Sequence, residues 1–323
     1  MPIYMTHPSL DISDILIRDF LKLSGPLLPY EYFDFQTMSY FTELVDYRTY
    51  KEVPYTDFSF SLLNAGHVPG SSQVLLEVGK MRVLITGDIN DEDTRLLRRM
   101  DFDYGELDVI ISESTYGAED HPDRKETEER LLERTREVVE DGGVVLIPAF
   151  AVGRSQEVMM VLTSKKSKFP IYLDGMAVEV TEILLRHPTY LRKARELERA
   201  FNKVERVRSW RERKRIVREP GVIIAPAGML GGGHAVFYLN KLCDDERNAI
   251  FVVGYQVPGT PGRLLLEERK AIVRGKVRKV RLQAERFHLS SHIDRSGFRE
   301  LSLIHISEPT RPLYISYAVF CLK

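Results

Sequence analysis

Apolar and polar residues alternate from Asp57 to Leu62, with Phe58, Phe60 and Leu62 set against Asp57, Ser59 and Ser61. This is the period-two pattern of a half-buried strand. Ala65-Gly66 and Val68-Pro69-Gly70 break the pattern on either side of His67, because such a run cannot continue a central strand. The imidazole is thereby lifted off a strand end into a loop. Strands are predicted over 73–78 and 81–86, joined by a tight turn at Gly79-Lys80, and the return strand ends in Gly87-Asp88. The stretch 107–111, apolar apart from Asp108, predicts another short strand, ending in Ser112-Glu113. Upstream, a strand-like start over 1–4 leads into a helix capped by Asp11 or Ser13, with Ile12, Ile15, Leu16, Phe20 and Leu23 on one side. A second short helix is predicted over 37–45.

Beyond Glu113 short apolar runs alternate with helical patterns. Residues 124–140 are densely charged with a thin stripe of Leu131, Leu132, Val138 and Val139, as for a solvated helix lying on a sheet. Strands are expected over 144–147, 170–174, 222–225, 250–254, 264–266, 277–282 and 287–289. Helices are expected from near Ser155, over 235–242 and over 295–301. Residues 187–218 are strongly basic and read as helical, with Phe201 and Trp210 interleaved. That run could follow a polyanion, but Glu196, Glu198, Glu205 and Glu212 balance it, and a solvated helical face is the preferred reading. No fixed-period repeat or low-complexity segment is present.

The pattern thus places His67, Asp88 and Glu113 at the ends of three strands. Polar groups gathered at one sheet edge are how α/β enzymes usually build a site, and a His with an Asp is the raw material of a zinc or hard-metal centre. From residue types alone, a His packed in a turn and an Asp capping a short helix after Asn90 fit equally well. Arg154 and Ser155 stand where a strand passes through Gly153 into a helix, which suits either an anion-binding element or a structural arginine. Gly231, Gly232 and Gly233 run into His234 and a helix start, leaving amides open to a ligand. Their spacing is neither a P-loop nor a dinucleotide fingerprint, so no nucleotide cofactor is read. His292 lies in another loop, again beside a helix.

Composition narrows the classes. The chain has 323 residues, a formal net charge of -1, and 43% hydrophobic and 29% charged residues. Nucleic acid, if bound, must meet a local patch rather than a net field. Neither of the two cysteines, Cys243 and Cys321, has a neighbouring Cys at metal-ligand spacing, which disfavours a zinc finger and a disulfide framework, and a reducing, cytoplasmic setting follows. No leader and no apolar run long enough to cross a membrane is seen.

Six stretches in order, AGHVPGSS, TGDIN, SESTYG, PAFAVGRSQE, GMLGGGHAVFYL and FHLSSHID, resemble the metallo-β-lactamase-fold nucleases with a β-CASP insertion. The resemblance runs from residue 1 to about 301 and is nearest to the archaeal homologues of the mRNA 3′-end cleavage endonuclease. It implies an αβ/βα sandwich, incomplete here, over 1–117, an inserted α/β β-CASP domain over 118–275, and a return to the sandwich over 276–303, with RNA threading between the two. It implies two zinc ions, with His67 a ligand of one and Asp88 the carboxylate bridging both. The zincs of such enzymes polarise the phosphate and hold the attacking hydroxide. Glu113 matches the first β-CASP motif and His292 the second: His292 would protonate the leaving 3′-oxygen while Glu113 orients it. Arg154, Ser155, Gly231, Gly232, Gly233 and His234 fall where relatives line the RNA path. A homodimer or a β-CASP partner subunit is a further expectation, and no membrane is involved.

The chain departs from the family pattern at both ends. The His-x-His-x-Asp-His run that supplies most zinc ligands would precede Met1, and a final histidine motif would follow the helix at 295–301. Two residues cannot hold two zincs, each of which takes about four ligands. The preferred reading is a truncated zinc-dependent ribonuclease whose isolated chain is inactive. The alternatives are a catalytically silent RNA-binding or scaffold paralogue and a DNA-directed nuclease of the same superfamily. Residues 304–323 have neither helical nor strand periodicity and read as a non-native tail, so His305 and Cys321 are left out of functional reasoning.

Overall fold

The computed structural model of the chain describes residues 2–24, 28–166 and 169–305. It divides into two units. The first comprises residues 1–120, 189–192 and the stretch from Ser291 onward; the second comprises 121–188 and 193–290.

In the first unit, β1 (Ile3–Met5), α1 (His7–Ser24), α2 (Tyr32–Tyr40) and β2 (Thr42–Leu44) precede a five-stranded sheet. That sheet contains β3 (Tyr50–Glu52), β4 (Phe58–Asn64), β5 (Ser72–Val78), β6 (Met81–Ile85) and β7 (Val109–Ile111), paired in that order. The strands β3 to β6 are antiparallel, and β7 joins β6 in parallel. Both faces of the sheet are covered. Phe60 and Leu62 of β4 pack with Val45, Tyr4 and Val74, while Leu63 packs with Leu75, Leu84, Ile89 and Ile293. Successive side chains of a strand point to opposite faces, so β4 feeds two clusters rather than the single one its alternation suggested. The unit closes with the helix Arg295–His305, whose Phe298 and Leu301 lie on the Ile89 cluster.

The second unit is a doubly covered parallel sheet. Its elements are α3 (Arg124–Glu140), β8 (Val144–Pro148), α4 (Arg154–Leu162), β9 (Ile171–Asp174), α5 (Met176–Leu185), α6 (Ala194–Lys203), β10 (Glu205–Val207), α7 (Trp210–Ile216), β11 (Gly221–Ala225), α8 (Gly233–Leu242), β12 (Ala249–Val252), α9 (Pro261–Glu268), β13 (Lys270–Val273), β14 (Lys276–Lys279) and β15 (Gln283–Arg286). Six strands align in the order β10-β9-β11-β8-β12-β15, every neighbour parallel. Every residue of β8, β11 and β12 is buried, which is why these segments read as continuous apolar runs rather than alternations. Fully burying each Val or Ile contributes about 1.5–3 kcal/mol before ordering entropy is deducted.

Several expectations are corrected. The stripe over 37–45 does not form one helix: α2 stops at Tyr40, and Thr42 to Leu44 pair in parallel with β1. The first helix starts at His7, ahead of both proposed caps. No helix follows Asn90 before Asp101. The basic stretch 187–218 is broken by β10. Residues 264–266 belong to α9, which Thr260 caps by accepting from the Arg263 amide and which Pro261 opens; Thr-Pro is a helix-start signal outweighed in the sequence by three leucines. The strand expected over 277–282 is the shorter β14, hairpinned to β13 through Gly275, and the strand expected over 287–289 lies earlier, at β15. The chain returns to the first unit at Ser291 rather than at 276, because β15 extends the second unit's sheet beside β12. Of the tail, residues 304 and 305 end the last helix, and 306–323 lie outside the described residues. Among the described residues no helix is long and apolar enough to cross a membrane.

One carboxyl is held against its preference. Asp91 lies close beside Gly297, where an added Cβ would strike its carboxylate. Burial pushes it up to about 6, against a backbone hydrogen bond that lowers it and with Asp294, Glu92 and Glu300 adding to the rise. A folded-state pKa above the unfolded one favours the fold while the group is protonated, and that contribution is lost as pH rises through about 6. Asp91→Asn is expected to raise stability at neutral pH by about 1–3 kcal/mol and to be neutral below about pH 4. Urea unfolding at the two pH values checks this, and equal shifts at both would contradict it.

Candidate active site

The direction of the strands brings the site together. β4 and β6 are each antiparallel to β5, so they run the same way, and β7 is parallel to β6. The chain therefore leaves all three strands at one edge of the sheet, carrying His67, Asp88 and Glu113. Short bonds lock the three exits together. Asn90 N donates to Ala65 O at 2.9 Å and Thr86 N to Ile111 O at 2.9 Å. Gly66 adopts φ +72°, and a Cβ there would lie 2.7 Å from Asn90 O and 2.8 Å from Met100 N. Only glycine fits that turn, and it is what places the next residue, His67.

His292 arrives from the far end of the sequence. Its segment is sewn to the sheet edge by Ile293 N donating to Ile89 O at 2.7 Å and by a parallel bridge between Tyr116 and Asp294. The rings of His67 and His292 lie 4.5 Å apart, centroid to centroid. His67 Nδ1 is 2.8 Å from the carbonyl of Ser291, and its Nε2 is 3.6 Å from Asp88 Oδ2. A carbonyl can only accept, so Nδ1 carries a proton and Nε2 is the nitrogen left facing Asp88, the one through which a metal ligand would act.

His292 Nδ1 lies 2.7 Å from Glu113 Oε2, and the amide of Ile89 donates to Glu113 Oε1 at 2.7 Å. The Glu113 side chain is 7% exposed. Burial by itself would raise its carboxyl. The hydrogen bond and charge of His292, the Thr115 hydroxyl and the Ile89 amide outweigh that and hold it below the usual carboxylate range. Glu113 is therefore an ionised, fully engaged carboxylate that fixes the orientation of His292. Asp88 is its opposite, a carboxylate with its side chain 55% exposed. His67, Asp88 and His292 each offer one ligand atom within 4.8 Å of one another, a soft-and-hard donor set suited to zinc.

The other residues singled out in the sequence lie in the second unit. Arg154 opens α4 directly after Gly153. Ser155 is fully buried and its hydroxyl donates to Phe150 O at 2.8 Å. Gly231 and Gly232 stand in open space, with nothing within 4 Å of an added Cβ. His234 enters α8, its Nδ1 3.6 Å from Asp174 Oδ2. These two loops leave the carboxyl ends of the adjacent parallel strands β8 and β11. The structure also shows a group that sequence reasoning missed. Arg213, taken as part of a solvated face, is buried and forms two bonds to Asp174, at 2.9 and 2.7 Å. Tyr238 donates to the same carboxylate at 2.6 Å, and burial followed by the Asp174 charge pushes its hydroxyl well up, so it stays protonated. The available signal was Asp174-Gly175 at the end of an apolar strand.

Comparison with known proteins gives the family. The Beta-Casp domain family matches residues 155–265, almost wholly within the second unit. The chain is 34% identical over 311 residues to the probable RNase MJ4 of Methanocaldococcus jannaschii, covering 93% of this chain and 72% of that protein. The chain belongs to the β-CASP family. It is also 41% identical over 301 residues to RNase aCSPSF2 of Saccharolobus solfataricus, spanning 60% of that protein's length, and 37% identical to the transcription termination factor FttA of Methanocaldococcus jannaschii, spanning 51% of it. The residues matched by the Beta-Casp family fall almost wholly in the second unit.

Two outcomes follow for the first unit. Gly66→Ala is expected to destabilise the chain by about 2 kcal/mol or more, since the added methyl meets backbone on two sides and the φ is strained; denaturant unfolding measures it. For Glu113→Gln the pH dependence is diagnostic. A carboxyl with a lowered folded-state pKa contributes stability above its unfolded value, and that is lost as pH falls through the folded one. The variant should be less stable by about 1–3 kcal/mol at neutral pH, with the gap closing once the wild-type carboxyl is protonated at strongly acid pH.

Proposed function

We propose that this chain is the core of a zinc-dependent ribonuclease that hydrolyses RNA phosphodiester bonds, acting in RNA 3′-end processing or decay. The observation that carries the reading is the Glu113–His292 pair set beside His67 and Asp88 at one sheet edge, in a chain whose relatives include proteins named as RNases.

His67 and Asp88 are the residues assigned to zinc. The orientation of His67 and the exposure of Asp88 fit that role. Zinc bound there supplies positive charge to a scissile phosphate and lowers the pKa of water. The protein's own part is proton management. Glu113, kept ionised, accepts from Nδ1 of His292 and fixes the orientation of the ring. His292 then presents Nε2 as the acid for the leaving 3′-oxygen, which would otherwise depart as an alkoxide. The same nitrogen cannot hold a metal and deliver a proton at once, so the grouping of His292 with His67 and Asp88 poses a choice. Its hydrogen bond to an ionised, buried carboxylate favours the acid role.

The names of two kinds of relative, RNases and a termination factor, both fit an RNA substrate. A second reading, a non-catalytic RNA-binding or scaffold subunit, keeps the same second unit. The parent protein and this chain are compared in one experiment. His292→Ala in the parent is expected to slow cleavage of a labelled RNA by about 10²–10⁴-fold while leaving RNA affinity and zinc content near wild type. His67→Ala and Asp88→Ala are expected to lose zinc as well. Zinc loss in His292→Ala would make it a ligand instead, unchanged cleavage in all three variants would overturn the assignment of the site, and a wild-type parent that binds RNA without cutting it would leave the scaffold reading. An isolated chain that binds RNA without cutting it is the expected result for the segment alone.

A further inference from the structure

Trp210, the sole tryptophan of the chain, is the first residue of α7 and is 55% exposed. Burying a ring of that size is normally worthwhile, yet here it is held at the surface of the second unit with its surroundings fixed. The Arg213 guanidinium lies over the ring, 5.0 Å from its centroid. That guanidinium cannot swing away, because Asp174 holds it through two hydrogen bonds in the buried interior. Phe237 and His234 meet the indole edge-on, at 5.2 Å and 82°, and at 5.8 Å and 86°. The capping box of Ser209 and Glu212 fixes the start of the helix. The indole is therefore backed and fenced but not covered.

Its neighbourhood is cationic. Arg211 and Lys214 are exposed on the same helix, Lys214 one turn on from Trp210 and thus on its side. Lys241 sits 6.0 Å from the Phe237 ring. The nearest acidic residue in sequence, Glu212, is occupied in accepting from the Arg208 and Ser209 amides. The loop entering His234 adds a second observation: Gly231 and Gly232 have no left-handed φ and no neighbour that a Cβ would strike. The fold does not require glycine at either place, whereas a ligand coming close to the backbone would.

We infer that Trp210 is a stacking platform for an unpaired base of single-stranded RNA, fenced by Phe237 and His234, with Arg211, Lys214 and Lys241 meeting the flanking phosphates. The inference rests on the ribonuclease reading for its choice of polymer and goes beyond it in naming the residue and the single-stranded form. Stacking needs a splayed base, which a duplex does not offer. The charge complementarity of the three cations favours a polyanion over an apolar protein partner.

The lone tryptophan is its own probe. The 323-residue chain, kept in chelator so that nothing is cleaved, is titrated with a single-stranded RNA decamer, the matching duplex and heparin, following tryptophan emission and the anisotropy of labelled RNA together. The single strand is expected to quench Trp210 strongly, and heparin and duplex to bind without quenching. Trp210→Ala should weaken single-strand binding about 5- to 100-fold, Trp210→Phe should restore most of it, and Lys214→Ala should reduce the salt dependence without abolishing binding. Binding by anisotropy without quenching, with Trp210→Ala at wild-type affinity, overturns the platform and leaves the nuclease reading intact. Absence of any RNA binding overturns the platform and counts against RNA as the substrate. An emission change that follows protein concentration alone marks the ring as a contact between copies and also overturns it.

Discussion

A carboxylate buried to the extent of Glu113 is costly unless each oxygen is met by a donor, and the donors here come from three distant stretches of chain. The Ile89 amide belongs to the loop after β6, the Thr115 hydroxyl to the turn after β7, and the His292 ring to the segment entering the last helix. Satisfying this one charge therefore fixes the loop that carries Asp88, the strand end that carries Glu113 and the position of His292. His67 is drawn in by the same segment, through the Ser291 carbonyl. Removing the charge would loosen all four positions together, so the effects of changes among them should not be additive.

The sequence made the four candidate site residues legible because each sits where a regular pattern stops. His67 follows a strand broken by Gly66, Asp88 follows a strand that ends in a glycine turn, and Glu113 follows one that ends in Ser112. What could not be read was which residues those strands would pair with and how far the patterns extended. Leu264, Leu265 and Leu266 suit a buried strand or a helix equally, and the Thr260-Pro261 start decided for helix. Arg213 was hidden among a dozen basic residues: nothing local distinguishes it from Arg211 or Arg215, and only the position of Asp174 one strand away takes it inside. Long-range pairing of charges carries no local sequence signal, while strand ends do.

The two units use one device. In the first, a buried carboxylate at a strand end orients an imidazole. In the second, Asp174 at the end of β9 orients a guanidinium and takes the proton of Tyr238 in a hydrogen bond. In each case the buried charge is consumed in holding another group, and the held group lies against a ring more exposed than that charge. Arg213 pressed on Trp210 is the counterpart of His292 pressed on His67. A ring or cation fixed in this way meets a ligand without first losing rotamer freedom, which lowers the entropy cost of binding.

Exposure separates the two carboxylates of the site more sharply than their chemistry does. Glu113 has its lone pairs taken by an amide, a hydroxyl and an imidazole, and another cation could be held only by displacing one of them. Asp88 is more than half exposed, so its solvating water can be exchanged for a metal at little structural cost. A metal role for Glu113 and an orienting role for Asp88 would each oppose the hydrogen bonds present. The same reasoning places His67 with Asp88 and His292 with Glu113. His67 donates from Nδ1 to a neutral carbonyl, which leaves Nε2 as the nitrogen facing Asp88. His292 turns Nδ1 to the Glu113 carboxylate instead. The partner on the far nitrogen, carbonyl or carboxylate, is what distinguishes two otherwise similar histidines.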